Sequence, residues 1–283
     1  MKEMTMLAKA KINLSLNVLD KRQDGYHNIE SLMQTVDFGD EVTIRWNKEP
    51  GITLTTNVPG LPVHEENIAY RSAKLMQETF QLSGGFDICL NKKIPVAAGL
   101  AGGSTNAAAV MHLINRLCGL HLSFEQLAEL GVTLGADVPF CLYGKPALCE
   151  GIGEIITPVT GLSDCYIVLV NPGVKVSTKV IYEALDGENP PKGGNTRRLI
   201  ENLSQGNFTA AMVDMKNVME TVAIDHCPAI ASLLHKLKTA GANHAMMSGS
   251  GATCFGIFTK KPEALEMENL FGEDLVAITK PSC

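Results

Sequence analysis

Several features that mark other classes of protein are missing from this sequence. None of its eight cysteines forms a C-x-x-C pair, and most lie in apolar stretches, as reduced cysteines of cytosolic proteins do. No run of about 18 apolar residues predicts a membrane span. Lys9 and Lys11 interrupt the apolar residues near the N-terminus, so we expect no signal peptide and a cytoplasmic protein.

Positive charge is also scarce. The formal net charge is −6, which argues against non-specific nucleic-acid binding. The 283 residues are 45% hydrophobic, enough to bury the core of one large domain or of two. We predict two domains, covering residues 1–162 and 163–283.

The common catalytic and phosphate-binding signatures are absent as well. No lysine follows the glycines as a P-loop requires, and the stretch at 249–254 fails the last position of G-x-G-x-x-G. The sequence also lacks H-E-x-x-H, and it lacks the G-x-S-x-G elbow of serine hydrolases. The glycine-containing stretches thus fit neither of these common phosphate-binding motifs, and a serine hydrolase is not expected. The other histidines lack the spacing of metal ligands.

What is present is a glycine-rich stretch at residues 95–106, P-V-A-A-G-L-A-G-G-S-T-N. Gly99, Gly102 and Gly103 precede a small-residue run with helical character. Glycine allows close backbone approach to a ligand, and the first turn of a helix offers unpaired N–H groups at the positive end of its dipole. The stretch therefore predicts an anion site, most often one for phosphate.

The hydrophobic pattern predicts a mixed α+β protein without regular β-α-β alternation. In the first half we predict strands over 9–19, 42–45, 52–55 and 86–90, and helices over 67–80, 105–117 and 122–134, the last capped by Ser123. In the second half we predict strands over 166–170, 244–247, 253–258 and 275–278, helices over 176–185, 196–203, 208–222, 229–240 and 263–270, and a polar loop over 187–194. The second half favours a ferredoxin-like layer.

Lys11 and Asn13 lie two residues apart on the first predicted strand and so share a face. Taken alone, they are typical of an edge strand with its polar face in water. Tyr26 and His27 follow an Asp-Gly turn signal, where they fit either ordinary loop residues or a pair that binds a ring.

Asp137 is a lone acid among small and apolar residues. It fits a helix N-cap as well as a general base in a partly dry site. The stretch S-G-S-G-A-T at 248–253 suits a tight hairpin turn, and also a second loop that faces phosphate.

Taken together and in this order, these four pieces resemble the GHMP kinase family. The glycine stretch resembles the family's P-x-x-x-G-L-x-G-G-S-S/T-N-A motif, and residues 248–253 resemble its third motif. The resemblance implies a two-domain α+β fold, with an N-terminal domain like ribosomal protein S5 domain 2 and a C-terminal ferredoxin-like domain. The stretches A-K-I-N-L and D-G-Y-H narrow it to kinases whose small-molecule substrate carries a cytidine diphosphate group.

The resemblance also implies roles for individual residues. Asp137 would be the catalytic base and Lys11 its charge partner. Asn13 would orient the substrate, while Tyr26, His27 and Tyr182 would surround its cytosine. The second phosphate-facing loop would use Gly249, Ser250 and Gly251.

ATP and Mg²⁺ are the cofactors that the resemblance implies. Ser104 is the nearest candidate for a metal ligand, since its hydroxyl can face metal or phosphate, and Lys92 or Lys93 are further candidates to reach the nucleotide. The residues implied in ATP binding are Asn67, Pro95, Val96, Ala97, Ala98, Gly99, Leu100, Ala101, Gly102, Gly103, Ser104 and Thr105.

Two rival functions stay open at this point. One is a GHMP kinase for another small molecule, such as homoserine or mevalonate, which the D-G-Y-H stretch argues against. The other is a nucleotide-binding sensor without catalysis, which the presence of both Lys11 and Asp137 argues against. We expect no nucleic-acid or membrane partner, and a monomer or weak homodimer.

Overall fold

Helices and strands are mixed along the chain in the computed structural model, which describes residues 2–186 and 193–282. The strands are β1 Lys2–Asn13, β2 Asn17–Lys21, β3 His27–Asn47, β4 Gly51–Thr56, β5 Gly85–Asn91, β6 Ala147–Gly151, β7 Ile155–Pro158, β8 Tyr166–Val170, β9 His244–Met247, β10 Cys254–Phe258 and β11 Leu275–Thr279. The helices are α1 Ile68–Thr79, α2 Gly102–Leu117, α3 Phe124–Val132, α4 Val138–Tyr143, α5 Thr178–Leu185, α6 Thr196–Ser204, α7 Phe208–Asp214, α8 Met219–His226, α9 Ala229–Thr239 and α10 Ala264–Phe271.

The described residues form two compact units. The first unit holds residues 2–10, Gly39–Ile94 and Ala101–Gly144. The second unit holds Lys11–Phe38, Pro95–Leu100 and the described residues from Lys145 onward. The predicted domain division at residues 162 and 163 stays a prediction.

In the first unit, helices pack against a small sheet. β5 runs antiparallel to the second half of β3 and parallel to β4. Alanines at 107–109 of α2 are buried, and their small side chains let α2 pack closely against α1. The shared core combines strand residues such as Ile44 and Phe86 with Met76 of α1 and Met111 of α2. Burying side chains of this size stabilises the unit by about 1.5–3 kcal/mol each.

The second unit contains an antiparallel sheet in the order β11-β8-β10-β9. Its central strands are apolar and buried, as the apolar run at 166–170 predicts. This arrangement confirms the predicted ferredoxin-like layer. β2, the first half of β3, β6 and β7 form a second antiparallel group in the same unit.

Two predicted elements are wrong because tertiary contacts interrupt them. The helix predicted over 208–222 is two helices, since α7 ends at Asp214 and α8 begins at Met219. Between them Asn217 forms an isolated bridge with Leu16, in extended backbone. The strand predicted over 9–19 is likewise divided into β1 and β2.

Other elements were not predicted. These elements are short or show no clear hydrophobic periodicity in the sequence, and they are β6, β7, α4 and the first half of β3. Residues 187–192 of the predicted loop lie outside the described residues. None of the described helices has the length and apolar character needed to cross a membrane.

Candidate active site

Lys11 and Asn13 lie at the end of β1, in the second unit, and both are buried. Their relative exposures are 5% and 1%, so the interpretation as a solvated polar face is wrong. Nζ of Lys11 donates a hydrogen bond to Oδ1 of Asn13 at 2.8 Å. Burying an ammonium group costs free energy unless polar groups surround it. The hydrogen bond to Asn13 therefore helps to hold the charged side chain of Lys11 in its buried position.

Asn13 has a further partner that the sequence did not reveal. Its Nδ2 donates to Oγ of Ser31 on β3 at 2.8 Å, and Ser31 is fully buried. The two residues are 18 positions apart, and no local pattern links them.

The glycine segment Pro95–Leu100 meets the loop 248–253 within the second unit. Oγ of Ser248 donates to the carbonyl oxygen of Gly99 at 2.9 Å, and the amide of Thr253 donates to Ala98 at 3.3 Å. Gly99 has φ +76°, and a Cβ atom there would lie 2.1 Å from the Ser248 carbonyl oxygen. Glycine is therefore required where these two backbones touch.

Asn217 fixes the start of the same loop. Its Nδ2 donates to the carbonyl oxygens of Met247 at 2.9 Å and Gly249 at 2.8 Å, and its Oδ1 accepts from the amide of Met219 at 2.9 Å. Sequence reasoning missed this residue. The available signal was an asparagine inside a predicted helix, where its propensity is poor.

The other part of the glycine stretch starts helix α2 in the first unit. Ala101 occupies the N-cap position with φ +55°, and among the described residues no side chain caps the helix. Oγ1 of Thr105 donates to the carbonyl oxygen of Lys9 at 2.8 Å. The N–H groups of the first turn carry the positive end of the helix dipole, as the predicted phosphate site requires.

Beside this helix start, Lys92, Asp40 and Asn106 form a buried cluster. Nζ of Lys92 pairs with Oδ2 of Asp40 and donates to Oδ1 of Asn106 at 2.9 Å. Asn106 in turn donates to Asp40 at 2.8 Å. Lys92, a candidate to reach the nucleotide, thus holds β3, β5 and α2 together, and Asp40 was not singled out in the sequence.

Two further predicted residues lie at helix starts in the first unit. Asn67 caps α1, because its Oδ1 accepts from the amide of Ala69 at 2.9 Å. Asp137 occupies the N-cap position of α4, but its side chain makes no capping hydrogen bond to the described backbone of that helix. The structure therefore removes side-chain capping as the explanation for Asp137.

His27 and Tyr182 meet in the second unit. Their rings stack at 5.1 Å between centroids with an interplanar angle of 20°. Nε2 of His27 lies 2.7 Å from Oδ1 of Asp186, whose other oxygen pairs with Lys21 at 2.5 Å. The hydrogen bond from Lys21, and to a smaller extent that from His27, lowers the pKa of Asp186. The carboxylate therefore stays ionised and able to accept both hydrogen bonds.

Tyr26, which precedes His27 in sequence, directly follows an exposed turn. The residue is 59% exposed, and Oδ1 of Asp24 accepts a hydrogen bond from its backbone amide at 3.1 Å. The structure thus brings His27 and Tyr182 together and presents Tyr26 to solvent, and the role of these residues at a cytosine stays a prediction. Ser250, in the second predicted loop, lies 2.7 Å from Oγ1 of Thr178 on α5.

Within residues 2–186 and 193–282, no three or more His, Cys, Asp or Glu side chains lie close enough to hold a metal ion. Ser104 lies in the first turn of α2.

Known proteins resemble this chain in sequence and in fold. Sequence models of the GHMP kinases match this chain, the N-terminal domain at residues 67–145 and the C-terminal domain at 199–273. A 4-diphosphocytidyl-2-C-methyl-D-erythritol kinase of Alkaliphilus oremlandii (strain OhILAs) is 46% identical over 259 residues, which are 91% of this chain and 89% of that protein. The chain belongs to the GHMP kinase family.

Solved structures of GHMP kinases extend the match. A crystal structure of 4-(cytidine 5'-diphospho)-2C-methyl-D-erythritol kinase superposes with a TM-score of 0.83 at 30% identity, covering 99% of this chain and 100% of that one. Homoserine kinase from Cytophaga hutchinsonii has a TM-score of 0.75 at 22% identity, covering 97% and 91%, and shares the fold alone. These matches confirm the predicted α+β, two-domain GHMP kinase fold, and the chain is a small-molecule kinase of a family that uses ATP.

Proposed function

We propose that this kinase transfers the γ-phosphate of ATP to the 2-hydroxyl of 4-diphosphocytidyl-2-C-methyl-D-erythritol, in the non-mevalonate route to isoprenoids. The observation that carries the proposal is the 46% identity, across nearly the whole chain, to a kinase named for that substrate. The rings of His27 and Tyr182 support it, because their aromatic faces lie together in a place where a nucleobase can stack on one of them. The D-G-Y-H segment argues against homoserine or mevalonate as the substrate, because it suits a substrate that carries a nucleobase.

Two residues divide the chemistry in this proposal. Asp137 accepts the proton of the substrate hydroxyl, and Lys11 stabilises the negative charge that develops on the oxygen and the phosphoryl group. Phosphoryl transfer depends on positioning and charge stabilisation more than on covalent catalysis. A general base typically contributes about 10²–10⁴-fold to the rate.

ATP is bound mainly by backbone in this proposal. The first turn of α2, with Gly102 and Gly103, gives N–H groups to the phosphates, and the loop at 249–251 adds donors. The uncapped start of α2 supports this role, because its N–H groups are not taken by a side chain of the described residues. Asn67 borders the adenine.

Mg²⁺ accompanies ATP in this proposal. The ion usually keeps several waters and binds substrate phosphates with only one or two protein ligands, so it needs no closed cage of carboxylates. The hydroxyl of Ser104, in the first turn of α2, suits one such position. When bound, the ion neutralises charge on the phosphates.

The substrate's cytidine end is proposed to lie against Tyr26, His27 and Tyr182. His27 reads the edge of the base, and Tyr182 stacks on its face. Asn13 orients the polar groups of the methylerythritol. We propose in addition that the protein acts in the cytoplasm as a monomer or weak homodimer, which sedimentation of the purified protein checks.

The experiment measures ADP release with Mg·ATP and 4-diphosphocytidyl-2-C-methyl-D-erythritol, for the wild type and for Asp137→Asn. We expect turnover in the wild type and a loss of at least about 100-fold in the variant, with ATP still bound. Homoserine and mevalonate serve as competing acceptors. A folded wild type that binds ATP but releases no ADP would contradict the proposal and favour a sensor.

A further inference from the structure

The direction of each hydrogen bond around Asn13 is fixed by its partners. Oγ of Ser31 carries one hydrogen, and it lies 2.6 Å from the carbonyl oxygen of Ser15, which can only accept. Ser31 therefore donates to Ser15 and is left as an acceptor toward Asn13. The carboxamide of Asn13 must then present its NH₂ group to Ser31, at 2.8 Å.

The other end of the carboxamide follows from this choice. With Nδ2 turned toward Ser31, Oδ1 of Asn13 faces Nζ of Lys11 at 2.8 Å. An ammonium has three donors and no acceptor, so it needs an oxygen at that position. Both ends of the carboxamide thus agree on one orientation.

Burial makes this orientation strict. Lys11 is 5% exposed, Asn13 1% and Ser31 0%, so bulk water does not replace a missing partner. A buried NH₂ group without an acceptor is costly, so losing its acceptor favours a shift of the side chain toward another one.

We propose that Ser31 is a positioning residue that sets the orientation of the Asn13 carboxamide and thereby the position of the Lys11 ammonium. The inference rests on the role proposed above for Lys11. Removing the Ser31 hydroxyl leaves the buried NH₂ group of Asn13 without this acceptor. The side chain of Asn13 then shifts toward another acceptor and no longer holds Oδ1 in its present place against Lys11. The ammonium then moves away from the place where charge develops.

The second unit offers a matched control, Ser15. It is also fully buried, and its Oγ accepts from the amide of Leu32 at 3.0 Å and from Oγ1 of Thr196 at 3.1 Å. Ser15→Ala removes the same hydroxyl and leaves a cavity of the same size, but it keeps the carbonyl oxygen that orients Ser31.

The test compares kcat, the KM for ATP and the melting temperature of Ser31→Ala and Ser15→Ala. We expect Ser31→Ala to lower kcat by about 10- to 100-fold, because small displacements of catalytic groups are that costly. The KM for ATP stays within twofold, and Ser15→Ala keeps the wild-type kcat with a similar loss of melting temperature. If Ser31→Ala fails to fold, Ser31→Cys, a weaker acceptor, takes its place and lowers kcat part of the way.

Two results would overturn the proposal. One is a kcat within twofold of wild type in the Ser31 variant, and the other is an equal loss of kcat in Ser15→Ala. A crystal structure of the Ser31 variant judges the proposal even if the wild type proves inactive on this substrate. Lys11 Nζ and Asn13 Oδ1 in unchanged positions, still 2.8 Å apart, would contradict it, whereas a displaced Asn13 carboxamide and Lys11 ammonium would support it.

Discussion

The side chain of Asn217 holds the backbone of Gly249, with Nδ2 donating to the Gly249 carbonyl oxygen at 2.8 Å. The same nitrogen donates to Met247, and Oδ1 accepts from Met219, so all parts of one buried carboxamide are used. Asn217 therefore ties the turn between α7 and α8 to the loop that we propose faces phosphate.

Replacing Asn217 should loosen that loop. Asn217→Ala leaves two carbonyl oxygens and one amide without these partners, which we expect to lower the free energy of unfolding by about 2 kcal/mol. The KM for ATP should rise while the KM for the cytidine substrate changes little. Urea unfolding and steady-state kinetics measure both effects.

An exposed asparagine of the same unit, Asn207, is the control. Asn207→Ala should leave the unfolding midpoint and both KM values unchanged. An unchanged KM for ATP in Asn217→Ala would show that the loop keeps its shape without this carboxamide.

Gly99→Ala should disrupt the contact between the two glycine segments. The new methyl would lie 2.1 Å from the carbonyl oxygen of Ser248, so one backbone has to move. We expect a loss of stability well above the roughly 1–2 kcal/mol that a left-handed alanine costs by itself, together with weaker ATP binding. Thermal unfolding and calorimetry of ATP binding measure the two effects.

Gly173 is the control, because alanine at this position would have an unfavourable φ but would not clash with another atom. It has φ +70°, and an added Cβ would meet nothing within 4 Å. Gly173→Ala should therefore lose only the stability due to its φ and keep ATP binding. Equal losses of stability in the two variants would mean that the close approach at Gly99 does not matter.

Glu220 gives a pH dependence whose sign can be worked out. Burial raises its pKa above the ordinary 4.5, although the Met247 amide, which it accepts at 2.8 Å, opposes the shift. The folded protein thus holds this proton to higher pH than the unfolded chain. The contribution of Glu220 to the free energy of unfolding is therefore fully present below about pH 4.5 and is lost as the pH rises through the pKa of the folded state.

Glu220→Gln removes the proton but keeps an oxygen for the Met247 amide. Urea unfolding between pH 4 and pH 7 should show the wild type losing stability with rising pH relative to this variant. Parallel curves for the two proteins would contradict the assigned burial.

Local signals in the sequence were enough for much of the fold. Ser123 caps α3 as predicted, and the structure adds Gln126 as its partner in a capping box. The strands on either side of the loop at 248–253 follow from apolar runs around glycines. Local patterns of this kind depend on neighbours in sequence, so they can be read without the structure.

The supporting residues of the site could not be found in that way. Ser31, Asp40 and Asn217 act through partners 18, 66 and 32 positions away in sequence. Nothing in their immediate neighbours distinguishes a buried partner from a surface polar residue. The helix predicted over 208–222 failed for the same reason, because the bridge from Asn217 to Leu16 lies outside any local window.

The N-terminus of α2 has no side-chain cap among the described residues, and adding one would favour stability at the expense of the proposed ATP binding. A side chain that caps the N-terminus of a helix typically stabilises it by about 1 kcal/mol. Ala101, at the N-cap position of α2, has no side-chain oxygen that could do so. Substituting Asp or Ser there is the kind of change a consensus or design procedure favours. In this kinase the new side-chain oxygen would compete with ATP, because it would accept hydrogen bonds from the N–H groups that we propose bind phosphate. Efforts to make the enzyme more heat-resistant should therefore leave this one turn unimproved and seek their gains elsewhere.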